Sequence, residues 1–160
     1  MERLWAPWRM EYIESARGEQ DGCLFCDLLT EEDEDAFILK RTVKAFAVMN
    51  VYPYNPGHLL VATLRHTGAL EDLDPDEIAH TGKLLQESVD VVQAEMQPDG
   101  FNIGLNLGRV AGAGVPDHIH WHVVPRWNGD TNFMSTVGQT RLLPELVEET
   151  YRKLRPRFRR

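Results

Sequence analysis

The sequence predicts an α+β fold, in which an antiparallel sheet is covered by one long helix and a second helix near the carboxyl end. Short β-rich runs follow one another, and turn residues such as Asn55-Pro56-Gly57 and Asp99-Gly100 separate some of them. A longer segment after Asp74 has helical signals instead. The five β-rich runs are residues 37–40, 45–49, 58–64, 101–105 and 118–124. Together these features predict a long helix packed against a β-meander.

The long helix has a well-marked start and end. Asp74 is a good N-cap, Pro75 suits the first helical position, and Glu77 completes a capping box with Asp74. Pro98-Asp99-Gly100 ends the helix. A second helix is predicted from about residue 142 to residue 154. Apolar residues of the long helix recur at helical spacing and predict the stripe that packs on the sheet, namely Ile78, Leu85, Val89, Val92 and Met96. His80 lies in this helix, away from the other histidines, and is expected to be structural.

Length and charge restrict the class of protein. The chain has 160 residues, of which 42% are hydrophobic, and a formal net charge of −8. A single domain of residues 1–160 is expected, with enough core to fold without disulfides. The acidic balance argues against a nucleic acid or an anionic membrane surface as partner.

The two ends of the chain differ in composition. Residues 1–22 are expected to form an amino-terminal extension. Its first 18 residues are charged and lack the apolar run of a signal peptide, and no later run is long enough to span a membrane, so a cytoplasmic location is expected. Residues 152–160 form a basic tail, which is either a frayed, solvated end or a segment that reaches across a dimer toward phosphate groups.

The run from Asp117 to Arg126 carries the densest chemical signal in the sequence. On a strand, alternation sends His118, His120 and His122 to one face and apolar residues to the other. We expect the histidine face to lie outside the core. Three imidazoles in a row indicate a chemical role rather than three separately satisfied side chains.

Two chemical roles fit this row of histidines. In the first, the histidines ligate a catalytic metal ion. At about 3.3 Å per residue, the α-carbons of His118 and His122 lie roughly 13 Å apart, so three-way ligation of one ion is at the limit of side-chain reach. In the second, the middle imidazole is a nucleophile that attacks phosphorus and forms a phosphoimidazole, which a second nucleophile discharges. The residues alone leave both roles open.

A glycine-rich loop precedes the histidines. Residues 104–114 contain four glycines, which let backbone N–H groups approach phosphate oxygens closely. The loop lacks the Lys-Ser/Thr ending of a P-loop and leads into a strand rather than a helix. Its position directly before the histidines favours a phosphate-binding loop over a purely structural turn.

The run His118-Ile119-His120-Trp121-His122-Val123-Val124 resembles the defining motif of the histidine triad family, nucleotide hydrolases and transferases that act on the α-phosphate of nucleotide conjugates. Asn50 lies eight residues before His58, the spacing of the fragile-histidine-triad branch. The segments 4–9 and 125–133 resemble the bacterial diadenosine tetraphosphate phosphorylases of that family. The resemblance implies a histidine-triad fold with a five-stranded antiparallel sheet, and a homodimer that joins two sheets.

The resemblance also implies roles for single residues. His120 is implied to be the nucleophile that is nucleotidylated on Nε2, while His122 hydrogen-bonds the α-phosphate and the bridging oxygen. His118 and His58 are implied to support the nucleophile from behind. The implied substrate contacts are Asn50 at the ribose, Asn106, Gly112, Ala113 and Gly114 at the phosphates, and Trp127 at the far nucleotide or phosphate. Ala113, Gly114 and Val115 replace a Gln or Ser that many members use for the leaving group, so this role passes to His122, to the backbone or to another segment.

The two cysteines, Cys23 and Cys26, form a single C-x-x-C. Taken alone, this motif fits half of a zinc site, buried thiols or a redox pair. The resemblance implies a structural zinc ion held by Cys23, Cys26, His66 and His118, a closed Cys₂His₂ set that stabilises the strand and does not activate water.

The expected function is cleavage of dinucleoside polyphosphates at the α-phosphate through a nucleotidyl-histidine intermediate. Inorganic phosphate as acceptor makes the protein a diadenosine tetraphosphate phosphorylase, which is favoured. Water makes it a hydrolase of dinucleoside polyphosphates or nucleoside phosphoramidates. No organic cofactor is expected, and Mg²⁺ is expected at most with the substrate. A metal-dependent hydrolase and a non-catalytic nucleotide sensor are the alternatives from other classes.

Overall fold

The computed structural model describes residues 22–130 and 145–158. Five strands form one antiparallel sheet, as predicted: β1 (Ile38–Arg41), β2 (Ala45–Met49), β3 (Leu59–Thr63), β4 (Gly100–Leu105) and β5 (His120–Arg126). The helices are α1 (Leu24–Leu28), α2 (Pro75–Met96) and α3 (Val147–Leu154). Short 3₁₀ turns span Leu70–Asp72, Arg109–Ala111 and Arg155–Arg157. In the ranges that the structure describes, no helix is both long and apolar enough to cross a membrane.

The sheet is not the simple meander that the sequence predicted. Its strand order is β1-β2-β3-β5-β4, so the last strand lies between β3 and β4. The long helix α2 connects β3 to β4 across one face of the sheet, which leaves a gap that β5 fills. As a result β5 is bonded on both sides, with Ala62 opposite His120 and Gly104 opposite His122. The histidine-bearing strand is therefore an interior strand, held by two ladders.

Helix α2 begins as the sequence predicts. The Asp74 carboxylate accepts the Glu77 backbone N–H at 2.7 Å, and the Glu77 carboxylate accepts the Asp74 N–H at 2.9 Å, which is a complete capping box. The helix ends at Met96, where Gln97 adopts a left-handed conformation with φ 49°.

The predicted apolar stripe of α2 is partly wrong. Ile78 is 53% exposed, whereas the buried face is made of Glu77, Thr81, Leu84, Ser88, Val91 and Val92. Leu85, Val89 and Met96 are partly buried at the edge of the core. Two polar residues of this face have partners, since the Ser88 hydroxyl donates to the Leu84 carbonyl and Glu77 pairs with Arg65. The buried hydroxyl of Thr81 has no hydrogen-bond partner among the described residues.

The ion pair of Glu77 predicts an acid-dependent loss of stability. Bonds from the Arg65 guanidinium lower the pKa of Glu77 from 4.5 to about 2. A lowered pKa stabilises the fold above the unfolded value, and this contribution is lost as the pH falls from about 4.5 to about 2. We expect Glu77→Gln to reduce the free energy of unfolding by about 2 kcal/mol at pH 7, a figure reduced for the half-exposed Arg65, and by almost nothing near pH 2.

Urea unfolding at a series of pH values measures this difference. Glu87→Gln is the matched control, because the Lys40–Glu87 pair is about one-third exposed on both sides and is expected to contribute less than about 1 kcal/mol. If Glu77→Gln lowered the free energy of unfolding by the same amount at every pH from 7 to 2, the ion-pair explanation would be contradicted.

The carboxyl-terminal segment packs on its own chain. Helix α3 begins at Val147 rather than near residue 142, and residues 142–144 lie outside the described part of the chain. Leu154 and Phe158 are fully buried in the core. Arg155 pairs with Asp33 and Arg157 with Glu95, at 3.5 and 2.7 Å. As far as Phe158, the basic tail therefore packs against its own chain. This part of the tail is neither a frayed end nor an arm that reaches away from the molecule.

The sheet has a core on each face. On one face α2 and α3 cover alternate residues of β2 and β3, such as Ala47 and Val61, together with Val123. On the opposite face Phe25 of α1 packs with Phe46, Val48 and other residues. The sequence did not predict α1, which forms a lid over the second face of the sheet.

Candidate active site

The histidine row of β5 faces α1. His120 is 6% exposed and His118, which directly precedes the strand, is 1% exposed. The expectation that the histidine face lies outside the core is therefore wrong. Helix α1 covers these two histidines, and the ring of Phe25 lies 4.8 Å from the ring of His120 between centroids. His122 is half-buried. The alternation itself is as expected, since His120 and His122 are ring neighbours at 5.3 Å.

The hydrogen bonds of His120 leave its outer nitrogen free of a proton. Nδ1–H donates to the backbone carbonyl of His118 at 2.8 Å. Burial lowers the pKa of His120, which keeps the ring neutral at pH 7. In a neutral imidazole only one nitrogen carries a proton, so Nε2 presents a lone pair. This is the state that a nucleophile requires.

A chain of hydrogen bonds places the proton of His122 on Nε2, which is the reverse of the arrangement in His120. The backbone N–H of Tyr54 donates to Nδ1 of His58 at 3.0 Å, so the proton of His58 is on Nε2. Nε2 of His58 lies 3.0 Å from Nδ1 of His122 and donates to it. The proton of neutral His122 is then on its own Nε2, where it can be donated. A lone pair on His120 and a proton donor on His122 thus lie side by side.

Asn50 lies against His58. Its amide Nδ2 is 3.3 Å from Nδ1 of His58, and its Oδ1 accepts the backbone N–H of Tyr52 at 2.9 Å. The described contacts of His58 include His122, Asn50 and Tyr54, so His58 meets the triad at His122.

The glycine-rich loop is an ordered turn between β4 and the histidines. Gly108 and Gly112 have φ values of 78° and 93°, which favour glycine, and they flank the turn Arg109–Ala111. The Asn106 amide donates to the Gly112 carbonyl at 3.4 Å. The N–H groups of Gly112 and Ala113 donate within the loop, to Arg109 and Gly108. A phosphate contact by these two amides therefore requires the loop to exchange its own hydrogen bonds.

A cleft of about 360 Å³ opens beside β4 and β5. It brings together two of the residues predicted for the site, Asn106 and His122. Trp127 follows β5, and its backbone N–H donates to Asp130 at 3.3 Å. The full lining is Tyr54, Asn55, Asn102, Ile103, Gly104, Leu105, Asn106, His122, Val124 and Arg126.

A polar network that the sequence did not single out forms the far wall of the cleft. Arg126 makes two bonds to Asp130, at 2.5 and 2.8 Å, and a third to Asn102 at 2.7 Å. The Asn55 amide, which is 4% exposed, bonds both the Pro125 carbonyl and Asp130. The Arg126 guanidinium holds the pKa of Asp130 well below its usual range. The only sequence signal for this wall was the segment 125–133, taken as a whole.

The two cysteines lie beside His118 and His66. Sγ of Cys23 is 3.2 Å from Nδ1 of His118, and Sγ of Cys26 is 3.5 Å from Nδ1 of His66. The four ligand atoms all lie within 4.8 Å of one another. Zinc–sulfur bonds of about 2.3 Å and zinc–nitrogen bonds of about 2.0 Å fit a tetrahedron of this size.

The other nitrogen of His118 supports this role. Nε2–H donates to the Thr63 carbonyl at 2.8 Å, which leaves the lone pair of Nδ1 directed at the cysteines. The loop after His66 passes close to the segment before His118, and a Cβ on Gly68 would lie 2.6 Å from the Pro116 carbonyl oxygen. Within the described ranges this cluster is the single group of ligand atoms suited to a metal, and it includes one triad histidine rather than three. The geometry therefore opposes a catalytic metal held by the triad.

Comparison with known proteins identifies the family of this chain. The model of the HIT domain matches residues 31–129. The chain belongs to the histidine triad (HIT) family. AP-4-A phosphorylase of Mycobacterium tuberculosis is 39% identical over 161 residues, 96% of this chain and 83% of that protein. A HIT-like protein of Methanocaldococcus jannaschii is 33% identical over 108 residues, 68% of this chain and 81% of that protein.

Solved HIT structures share the fold. A Zn-bound histidine triad family protein from Mycobacterium smegmatis superimposes with a TM-score of 0.69 at 30% identity, covering 86% of this chain and 93% of that one. The HIT match begins at residue 31, so Cys23 and Cys26 lie outside it, while His66 and His118 lie within it. The cysteine–histidine cluster thus contains residues of the HIT sheet region and residues in or next to α1, the helix that precedes the matched region.

Proposed function

We propose that this HIT protein is a nucleotidyl transferase that cleaves dinucleoside polyphosphates, with phosphorolysis of diadenosine tetraphosphate as its reaction. One observation carries the proposal: the hydrogen bonds of the site assign a lone pair to Nε2 of His120 and a proton to Nε2 of the neighbouring His122. The 39% identity to an AP-4-A phosphorylase supports this choice of substrate.

In the first step Nε2 of His120 attacks the α-phosphorus of one adenosine. A P–N bond forms, the P–O bond to the β-phosphate breaks, and ATP leaves. His122 donates its proton to the departing bridging oxygen. Ala113, Gly114 and Val115 offer no side-chain donor at the loop, so this role falls to His122.

In the second step inorganic phosphate attacks the adenylylated His120. A P–O bond forms, the P–N bond breaks, and ADP leaves with Nε2 again unprotonated. The proton lost by the attacking phosphate returns to His122. If water takes the place of phosphate, the product is AMP, and the protein is a hydrolase; this second candidate uses the same residues.

The substrate is proposed to lie along the cleft beside β4 and β5. Asn106 and the loop residues Gly112, Ala113 and Gly114 would contact phosphates, Asn50 the ribose, and Trp127 the far end of the substrate. Arg126 and Asn102 add polar groups to the lining of the cleft. In a chain of net charge −8, such local donors are needed to hold an anionic substrate.

Zinc, a second copy of the chain and Mg²⁺ belong to the same proposal. Cys23, Cys26, His66 and His118 would hold a zinc ion, which supplies structural cross-linking and no activation of water. A homodimer is supported by the outer edge of β4, which pairs with no other strand of residues 22–130 and 145–158, and where Ile103 is half-exposed beside the α2 residues Leu85 and Val89. Mg²⁺ would arrive with the polyphosphate, and the enzyme would act in the cytoplasm.

Product analysis tests the reaction. Purified protein is incubated with diadenosine tetraphosphate, with and without inorganic phosphate, and the nucleotides are separated by anion exchange. ATP and ADP in equal amounts, formed only with phosphate, are the expected result. AMP formed without phosphate would make the protein a hydrolase, and no products would contradict nucleotidyl transfer.

A further inference from the structure

The side chain of Phe25 lies between the cysteine–histidine cluster, made of Cys23, Cys26, His66 and His118, and the proposed nucleophile His120. It lies in α1 between Cys23 and Cys26 and is 1% exposed. Its ring centroid is 5.2 Å from that of His118 and 4.8 Å from that of His120. One phenyl ring thus touches both the ligand histidine and the nucleophile.

The contact between Phe25 and His120 restricts tilting of the imidazole, which the hydrogen bond of His120 does not prevent. The single bond from Nδ1–H to the His118 carbonyl fixes one atom of the imidazole, and the ring can still tilt about it. The phenyl ring lies in tilted contact with the imidazole, at an interplanar angle of 37° and a centroid distance of 4.8 Å. Tilt of the imidazole would move Nε2, the atom that must reach phosphorus in line with the leaving group.

The support behind Phe25 comes from two sides. Phe46 of β2 meets Phe25 edge-on at 6.2 Å, and the cysteines lie on either side of Phe25, with Cys23 directly before α1 and Cys26 within it. Because α1 has only five residues, its position depends on these contacts rather than on helix stability. Whatever holds the cysteines therefore also holds the phenyl ring against His120.

We infer that Phe25 is a positioning residue that orients His120 and transmits the occupancy of the cysteine–histidine cluster to it. The inference rests on the proposed function, since it assigns Nε2 of His120 as the attacking atom. It predicts that a metal bound at the cluster raises the rate of the chemical step without changing substrate binding.

The test compares Phe25→Leu with Phe158→Leu. Both substitutions remove a phenyl ring that is 1% exposed, but Phe158 lies in the core on the opposite face of the sheet, and its described contacts include neither Phe25 nor a histidine ring. We expect Phe25→Leu to lower kcat for diadenosine tetraphosphate by about 10- to 100-fold with KM unchanged within about threefold. Phe158→Leu should leave kcat within about threefold of the unmodified protein. Equal losses of kcat in the two variants would overturn the inference.

A separate experiment measures whether the effect of bound zinc on His120 passes through Phe25. Zinc is removed with a chelator from the unmodified protein and from Phe25→Leu, and kcat is measured before and after. We expect zinc removal to lower kcat of the unmodified protein but to add little to the loss in Phe25→Leu, since the contact is already gone. Equal fold-losses in both proteins would overturn transmission through Phe25.

A readout without substrate separates this inference from the proposed reaction. The Nδ1–H proton of His120 is followed by NMR in ¹⁵N-histidine-labelled, zinc-loaded protein. Faster solvent exchange of this proton in Phe25→Leu, but not in Phe158→Leu, is expected. Unchanged exchange in both would overturn the positioning role, whereas failure of the unmodified protein to cleave the substrate would count against the proposed reaction alone.

Discussion

Replacing His120 with alanine is expected to lower kcat for diadenosine tetraphosphate by at least about 10⁴-fold, because loss of a covalent nucleophile removes the first chemical step. KM should change little, since the phosphate and nucleoside contacts proposed for the cleft remain. The measurement is the initial rate of ATP release with phosphate present, together with a search for nucleotide covalently attached to the protein. Nucleotidylated protein is expected only where His120 is present.

His80→Ala is the matched control for this experiment. His80 lies on α2 and bonds only the Asp76 carbonyl among its described contacts, so the same substitution there should leave kcat unchanged. Circular dichroism of both variants checks that each is folded. Near-normal turnover by His120→Ala would exclude a covalent mechanism at this residue. Nucleotide binding without turnover in the unmodified protein would instead favour a nucleotide sensor.

Removal of the two cysteine ligands of the proposed zinc site is expected to have the largest effect on stability. In Cys23→Ser/Cys26→Ser two of the four proposed ligands are lost, so bound zinc should fall from about one per chain to near zero. The free energy of unfolding should drop by about 3–4 kcal/mol, the contribution of a ligand present at roughly 100 to 1,000 times its dissociation constant. Elemental analysis and guanidinium unfolding measure the two quantities.

A chelator supplies the control for that variant. With the metal removed, the unmodified protein should become as unstable as the double variant, since each then lacks the same cross-link. A double variant that stays less stable than the chelated protein would show that the thiols contribute through packing, in keeping with the burial that raises the pKa of Cys26. Full zinc content in the double variant would contradict the proposed ligand set.

Local signals explain the part of the fold that the sequence predicted well. The capping box of Asp74 and Glu77 acts within one helical turn, so its residues could be recognised without knowledge of the sheet. The five strands were recognised for the same reason, because alternation and turn residues are properties of short segments. The sequence also brought Cys23, Cys26, His66 and His118 into one hypothesis, although only through resemblance to a family.

Other parts of the prediction were wrong for non-local reasons. The exposure of Ile78 depends on which face of α2 meets the sheet, and partners for Glu77 and Ser88 let polar residues occupy that face. The position of β5 depends on the crossover of α2, which no local pattern encodes. The burial of the histidine row depends on α1, a helix too short for a periodicity signal.

The sequence by itself determined the chemistry available to this HIT protein: an alternating row of imidazoles, a glycine-rich loop before it and a pair of thiols. Only the tertiary structure decided which nitrogen of each imidazole carries the proton. His120 is directed by a backbone carbonyl two residues away, while His122 is set by Tyr54 through His58, on a segment more than sixty residues earlier in the chain. A proton occupies one nitrogen or the other according to its partner, and partners distant in sequence are assigned by packing.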